Sequence, residues 1–438
     1  MPEDFGLLAI ITILIQISQT FIDCGFTNAL IQKKDRSQED YSTVFLFNLA
    51  LSIGFYFILF LTSPLVSLFF NEPRLATLIR VVGLNLIIGA VASVHKTRLT
   101  IELCFKIQSI ISLISAIISA IVSIWLAFHG FGVWALVILT LLNTSIQTIQ
   151  IYLFIRWRPS LLFSRNSFQL LFSYSSKLLG ASLIHLLYRN IYPIIIGKKF
   201  NSIDLGYFNR ADTLASYGPL TFGTIVSRVA FPIFSRIQDN EATLGKAYSK
   251  YIIFTSLLIF PIMIGLIILA RPLTIVILKE QWLPMVPMFQ ILCIDWMFEH
   301  LNMINLNVLY VKGRSDIAFR NEILKKSLAI IIFLISIKWG IIGICWGRVI
   351  YGCIAIYINS YYTKRLIGLS LLEQLHDVAK PLFYAFIMGT LVFCTTLLGI
   401  GNSLLLIIAI GVGLISYMLI LLVGSPAYFT ELLSLIKK

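Results

Sequence analysis

The chain alternates between long apolar runs and short polar connections. Residues 258–270, LIFPIMIGLIILA, are typical of these runs. They are continuously apolar, whereas strands of a transmembrane barrel would alternate with period two, so the runs are predicted to be helices. A helix needs about 20 apolar residues to cross a bilayer. The pattern predicts thirteen such helices, at 5–31, 42–70, 75–95, 105–128, 132–155, 168–199, 207–235, 249–277, 284–311, 319–338, 340–363, 379–400 and 402–423.

The composition agrees with a polytopic membrane protein. Hydrophobic residues make up 58% of the 438 residues, charged residues make up 12%, and the mean hydropathy is +0.91. A soluble protein would carry about 25% charged residues. The net charge of +14 does not indicate nucleic-acid binding, because the chain has no separate basic domain that could carry it.

The basic residues predict the orientation of the helices. The loops 32–41, 96–106, 156–167, 236–250, 312–326 and 364–380, together with the tail 424–438, hold 22 Lys and Arg residues. The opposite loops and adjoining helix ends hold 8. Cytoplasmic loops are enriched in Lys and Arg, so the first set and the C-terminus are predicted to be cytoplasmic. The N-terminus is then outside the cytoplasm.

An internal repeat accounts for that position of the N-terminus. PEDFGLL at 2–8 aligns with SIDLGYF at 202–208, and Gly132 matches Gly340 further along. The second copy is preceded by the predicted helix 168–199, and nothing equivalent precedes the first copy. We therefore expect about thirteen helices of an original fourteen, with the first helix missing. The predicted fold is an all-α transmembrane bundle of two pseudo-symmetric lobes, 1–160 and 161–370, followed by two additional helices and a cytoplasmic tail in 371–438.

The six cysteines do not form a recognisable site. All lie in or beside apolar runs, and none belongs to a CxxC pair, so they predict neither disulfides nor a zinc site. His185 and His300 are interpreted as hydrogen-bonded interior residues rather than metal ligands. No metal or cofactor is expected.

Several segments resemble a known transporter family. These include PEDFGLLAI (2–10), ALIQKKDRSQEDYSTVFLFNLA (29–50), LGYFNRAD (205–212), FPIFSRIQDN (231–240) and KGRSD (312–316). They are similar to the polysaccharide-exporting flippases of the multidrug/oligosaccharidyl-lipid/polysaccharide exporter superfamily, in the colanic-acid and teichuronic-acid exporter branch. The resemblance implies a fourteen-helix, two-lobed fold in the bacterial cytoplasmic membrane. It also implies export of undecaprenyl-pyrophosphate-linked oligosaccharide for capsule, exopolysaccharide, O-antigen or teichuronic acid synthesis. A polysaccharide polymerase and chain-length machinery are the expected partners.

Four cations lie deep within predicted helices. Lys177, Arg189, Arg228 and Arg348 sit about 7–10 residues from the nearer helix end. A charge at that depth is costly, so such residues face a protein interior or a wet cavity. Arg and Lys bind phosphate well. The four are predicted to line a cavity that attracts an anionic glycolipid, against the alternative that each pairs with a carboxylate or reaches the interface.

Three acidic residues are candidates for ion coupling. Asp295 and Glu299 are four positions apart in 284–311 and would share one helix face. Together with Asp23 they could carry a proton or sodium ion, or they could pair with neighbouring cations. Asp212 is interpreted instead as a helix-start residue.

Two other function classes remain open. An ion-coupled drug or cation antiporter of the same superfamily would use these acidic residues. A membrane polymerase or glycosyltransferase is less compatible with the short connections, which lack a catalytic triad, a metal cluster or a phosphate-binding glycine loop. The sequence therefore favours a transporter without enzymatic activity.

Overall fold

The computed structural model describes residues 2–23, 26–33, 35–102, 104–155, 157–160, 162–426 and 428. Within these ranges, the side chains of 28, 31, 32, 170, 173–178, 180–189, 222–233, 235, 236 and 315 lie outside the description. The described chain is built from α-helices, which confirms the predicted fold class. Nine helical stretches of this part are long and apolar enough to span a bilayer, so the protein is a multi-pass membrane protein.

The chain divides into two compact units, Met1–Gly206 and Tyr207–Lys438. Helices of the first unit are α1 (Pro2–Asp23), α2 (Phe26–Gln32), α3 (Gln38–Phe70), α4 (Arg74–Ile101), α5 (Phe105–Phe128), α6 (Val133–Phe154) and α7 (Arg165–Lys199). Helix α8 (Ser202–Arg236) begins in the first unit and continues in the second. Helices of the second unit are α9 (Glu241–Ile268), α10 (Ala270–Leu278), α11 (Val286–Met297), α12 (Glu299–Val311), α13 (Ser315–Ser336), α14 (Gly340–Ile367), α15 (Leu371–Thr396) and α16 (Asn402–Gly424). The predicted lobe boundary at 160/161 stays a prediction.

All thirteen predicted spans fall on helices, but some are divided. The span 249–277 consists of α9 and α10, which meet at Leu269. Pro272 explains this division, because it has no N–H to donate to the carbonyl of Ile268. The span 284–311 consists of α11 and α12, which meet at Phe298. The ring of His300 contacts the Met297 carbonyl at 2.9 Å beside this division and also bonds Ser256, which confirms that His300 is a hydrogen-bonded interior residue.

The core of the first unit joins α2, α3, α4 and α7. Phe26, Phe45, Val94 and Leu171 are buried together there. Helix α3 begins at a capping box in which the Ser37 hydroxyl accepts from the Asp40 N–H, so the polar helix end is satisfied. Outward-facing apolar side chains, such as Ile407 and Leu414 of α16, are exposed and suit contact with lipid tails.

Backbone conformation supports the internal repeat. Asn71 and Lys279 are the non-glycine residues with positive φ in the described chain, at 56° and 71°. They are 208 positions apart, as are Gly132 and Gly340, which have φ of 52° and 73°. Left-handed backbone is rare for side-chain-bearing residues. The recurrence of positive φ at a fixed offset supports the repeat. Gly132 and Gly340 are also similar in ψ, at −126° and −164°, whereas Asn71 and Lys279 differ, at 37° and 172°.

Candidate functional site

Arg348 is held by two carboxylates in the second unit. Its Nη1 lies 2.7 Å from Oδ1 of Asp212 on α8, and its Nη2 lies 2.7 Å from Oδ2 of Asp295 on α11. The indole N–H of Trp296 donates to the same Asp212 oxygen at 2.8 Å. The side chain of Arg348 is 16% exposed, so this is a largely buried cluster that joins α8, α11 and α14. We call these residues the ion-pair cluster.

Asp212 therefore has a different place from the one predicted. It lies within α8, which starts at Ser202, so it is not a helix-start residue. It supplies one of the two counter-charges of Arg348. Its position near the repeat motif suggested the helix-start role, and the sequence could not identify its partner, because Arg348 is 136 positions away.

Glu299 begins α12 next to the ion-pair cluster in sequence. Its Oε2 accepts a hydrogen bond from Nδ2 of Asn302 at 3.1 Å. One residue, Phe298, separates α11 from α12 between Asp295 and Glu299, and its backbone stays in the right-handed helical region. That these two carboxylates share a helix face therefore stays a prediction.

Three of the predicted cations cannot be located at the level of their side chains. Lys177 and Arg189 belong to α7 and Arg228 belongs to α8, and their side chains lie outside the described residues. Their assignment to a cavity stays a prediction. The same holds for His185.

A pocket in the first unit that has many polar residues in its lining was not predicted. It has a volume of about 530 Å³ and lies between α1, α4 and α6, with Thr27 of α2 at its margin. This volume is within the range of about 300–1,000 Å³ of small-molecule sites. Its polar lining residues are Thr12, Gln16, Gln19, Asp23, Thr27, Asn85, Ser93, Lys96, Thr97, Thr100, Thr140 and Thr144. We call it the hydroxyl pocket.

Hydrogen bonds orient several of these side chains. The Thr27 hydroxyl donates to Oδ1 of Asp23 at 2.7 Å, and the Lys96 ammonium donates to Oε1 of Gln147 at 3.0 Å. The Asn85 amide donates to the Thr140 hydroxyl at 3.4 Å. Oδ1 of Asn85 is buried and has no partner among the described residues. A buried acceptor of this kind is costly unless a ligand or water donates to it.

The sequence did contain a signal for this pocket. Thr12, Gln16, Gln19 and Asp23 recur at three- and four-residue spacing within an apolar run, so they form a polar stripe on one face of α1. Charged residues alone do not reveal this stripe, because hydroxyl and amide groups make up most of it.

The first turn of α8 crosses α1 at two glycines. A Cβ on Gly6 would overlap the carbonyl oxygen of Ser202, and a Cβ on Gly206 would overlap the carbonyl oxygen of Pro2. Close by, the Ser202 hydroxyl donates to Oε1 of Glu72 at 2.5 Å. The two copies of the repeat motif therefore meet backbone to backbone, which only glycine permits at these two positions.

Comparisons with known proteins agree on one family. The family model described as polysaccharide biosynthesis protein matches residues 1–287. The chain is 26% identical over 423 residues to the teichuronic acid biosynthesis protein TuaB of Bacillus subtilis (strain 168), covering 95% of this chain and 88% of the relative. It is 26% identical over 387 residues to the lipopolysaccharide biosynthesis protein WzxC of Escherichia coli (strain K12), covering 87% and 78%. Among solved structures, the lipid II flippase MurJ in an inward closed conformation matches with a TM-score of 0.76 and 16% identity, covering 98% of this chain and 93% of that one, and so it shares the fold.

Proposed function

Because the chain belongs to the family of polysaccharide biosynthesis proteins, we propose that it moves a lipid-linked oligosaccharide across the bacterial cytoplasmic membrane. The hydroxyl pocket is the observation that carries this proposal. It places hydroxyl and amide groups inside a unit whose helices are otherwise apolar enough to span the bilayer. Such groups both donate and accept hydrogen bonds, which suits the hydroxyls of a sugar.

The saccharide would cross through a polar path while the polyprenyl chain remains in the lipid. In this scheme two lobes alternate between a state open to the cytoplasm, which loads, and a state open outward, which releases. The C-terminus and the basic loops would be cytoplasmic, as the distribution of Lys and Arg predicts. The scheme involves no covalent chemistry, and a polymerase that consumes the exported unit is a natural partner.

The charged residues have separate roles in this scheme. Lys177, Arg189 and Arg228 would attract the diphosphate of the substrate. Arg348 already has two carboxylate partners, Asp212 and Asp295, so its positive charge is less available to an anionic substrate. Glu299, Asp295 and Asp23 are the candidates for coupling transport to a proton or sodium gradient.

A second function is favoured by the ion-pair cluster. Asp212 and Asp295 carry two negative charges against one positive charge on Arg348. An excess of negative charge suits a cation rather than a glycolipid, and so it favours antiport of a drug or cation. Testing whether cells that lack the protein become sensitive to cationic drugs separates this function from glycolipid export.

Reconstitution tests the main proposal. The purified full-length chain is placed in proteoliposomes with an undecaprenyl-diphosphate-linked oligosaccharide, and a membrane-impermeant sugar-oxidising reagent reports which leaflet holds it. Faster movement between leaflets than in protein-free vesicles is the expected result. Equal rates with and without protein would contradict the proposal.

A further inference from the structure

The hydroxyl pocket has two charged lining residues among those described, Asp23 and Lys96. Each is hydrogen-bonded to an uncharged neighbour. Asp23 accepts a hydrogen bond from the Thr27 hydroxyl at 2.7 Å. The Thr27 hydroxyl oxygen in turn accepts a hydrogen bond from the Thr97 hydroxyl at 3.4 Å. Lys96 donates to the neutral amide oxygen of Gln147 at 3.0 Å. The ammonium is thus oriented by an uncharged neighbour.

The surroundings of Lys96 keep that orientation. Gln147 donates through Nε2 to Oδ1 of Asn143 at 2.7 Å, so its carbonyl oxygen is turned toward the ammonium. Lys96 itself is exposed to the pocket. An ammonium has three donor hydrogens, and the bond to Gln147 uses one of them.

We propose that the hydroxyl pocket binds the saccharide part of the substrate and that Lys96 selects saccharides that carry an acidic group. This inference rests on the proposed function and adds the chemical class of the sugar. The acidic group would accept charge-assisted hydrogen bonds from Lys96. Asn85, which also lines the pocket, would place its amide beside a hydroxyl of the same saccharide.

The pocket suits a sugar carboxylate better than the lipid diphosphate. Its formal charge is balanced, because Asp23 and Lys96 are the charged groups among its described lining residues. A diphosphate carries at least two negative charges and is usually bound by several cations or by backbone N–H groups. One ammonium beside hydroxyls and amides matches a single carboxylate on a sugar ring. A phosphate group presents the same chemistry to Lys96, so the experiment must distinguish the two sources.

Binding to the purified full-length chain in detergent micelles tests the inference without requiring transport. The probes are a disaccharide that contains glucuronic acid, the same disaccharide with glucose in its place, and inorganic diphosphate, each titrated by calorimetry. The variants are Lys96→Gln, Lys96→Arg and, as a control, Lys106→Gln, which alters an exposed residue that does not line the pocket.

The wild-type chain is expected to bind the acidic disaccharide about tenfold more tightly than the neutral one, a difference of about 1.4 kcal/mol. Lys96→Gln should remove this preference, and Lys96→Arg and Lys106→Gln should retain it. A preference that survives Lys96→Gln, an absence of preference in the wild-type chain, or a Lys96-dependent affinity for diphosphate that exceeds that for the acidic disaccharide would each overturn the inference. The proposed function is tested separately by the proteoliposome experiment. If that function is wrong, the protein will not change the distribution of the lipid-linked oligosaccharide between the two leaflets.

Discussion

Gly6 and Gly206 contact each other's helices reciprocally. Gly6 lies against the carbonyl of Ser202, and Gly206 lies against the carbonyl of Pro2, so each glycine faces the residue four positions before the other. The backbone nitrogen of each glycine also lies 3.2 Å from the position that a Cβ on the other would occupy. This is the pattern of a local two-fold relationship between the two copies of the repeat motif.

Replacing Gly6 by Ala should destabilise the protein by about 1–3 kcal/mol, because the added methyl group forces a backbone shift at a tightly packed crossing. Gly54→Ala is the matched control. Gly54 lies in α3 with nothing within 4 Å of its added Cβ, so its replacement should stabilise the helix by about 0.5–1 kcal/mol. Thermal unfolding in detergent measures both. Equal midpoints for the two variants would contradict the crossing.

Replacing Arg348 by Gln should cost about 3 kcal/mol, because it leaves Asp212 and Asp295 without their shared counter-charge in a largely buried setting. Arg314→Gln serves as the control. The Arg314–Asp316 pair is 48% and 62% exposed, so its loss should destabilise the protein far less than Arg348→Gln does. The destabilisation by Arg348→Gln should also shrink by more than about 0.5 kcal/mol in an Asp295→Asn background, and strict additivity would show that the pair does not interact.

Replacing Asn85 by Leu should reduce transport without reducing stability. The change removes a buried acceptor that has no described partner and only a long, 3.4 Å bond from the amide to Thr140, so the unfolding midpoint should stay the same or rise. Leaflet movement of the lipid-linked oligosaccharide should fall, because the pocket loses a hydrogen-bonding group. In contrast, Asn305→Leu should lower the midpoint, since the Asn305 amide is bonded to Leu301 and Gln374 at 2.8 Å each. A fall in the midpoint of Asn85→Leu would argue for a purely structural role.

Replacing Arg189 or Arg228 by Ala should abolish surface polysaccharide while leaving the amount of protein unchanged. Loss of a cation from the transport path weakens attraction of the diphosphate. Surface polysaccharide is measured by immunoblot or staining, and protein level is measured in isolated membranes. Arg158→Ala, in a polar connection, is the control and should export normally. Normal export by both variants would remove these residues from the path.

Replacing Glu299 by Gln should remove the dependence of transport on an ion gradient, because a neutral amide can neither exchange a proton nor balance a bound sodium ion. Transport in proteoliposomes is compared with imposed proton or sodium gradients and without either. Asp295→Asn should have the same effect if Asp295 is the coupling residue. Glu102→Gln changes an exposed carboxylate outside the pocket and should leave the dependence intact. Retained dependence in both interior variants would exclude the two residues.

The helices could be predicted from the sequence because continuous apolar runs report burial in lipid directly. The interruptions at Leu269 and Phe298 could not be placed in the same way. The first follows from one missing N–H donor at Pro272, and the second lies beside a contact between His300 and Met297. Hydropathy encodes neither feature. Both interruptions leave the average hydropathy of their runs unchanged.

The candidate site was harder to predict than the fold. Arg348 could be singled out from the sequence because it lies far from either end of an apolar run. Its partners Asp212 and Asp295 could not, because they lie on helices that are distant in sequence. The hydroxyl pocket was missed because threonine and serine are common in spanning helices, where they often bond to their own backbone. Only the arrangement of α1, α4 and α6 distinguishes the pocket-lining groups from the others.

The repeat also relates the two polar features of the molecule. Thr12 and Asp212 occupy matching positions at the offset of 200, and Thr140 and Arg348 match at the offset of 208. The first copy therefore has threonines of the hydroxyl pocket where the second copy has two members of the ion-pair cluster. A homodimer would have to carry both features twice, since identical subunits cannot diverge. When both copies lie in one chain, each can change separately. The first copy can then keep neutral groups at these positions for a ligand, and the second can acquire charged groups there.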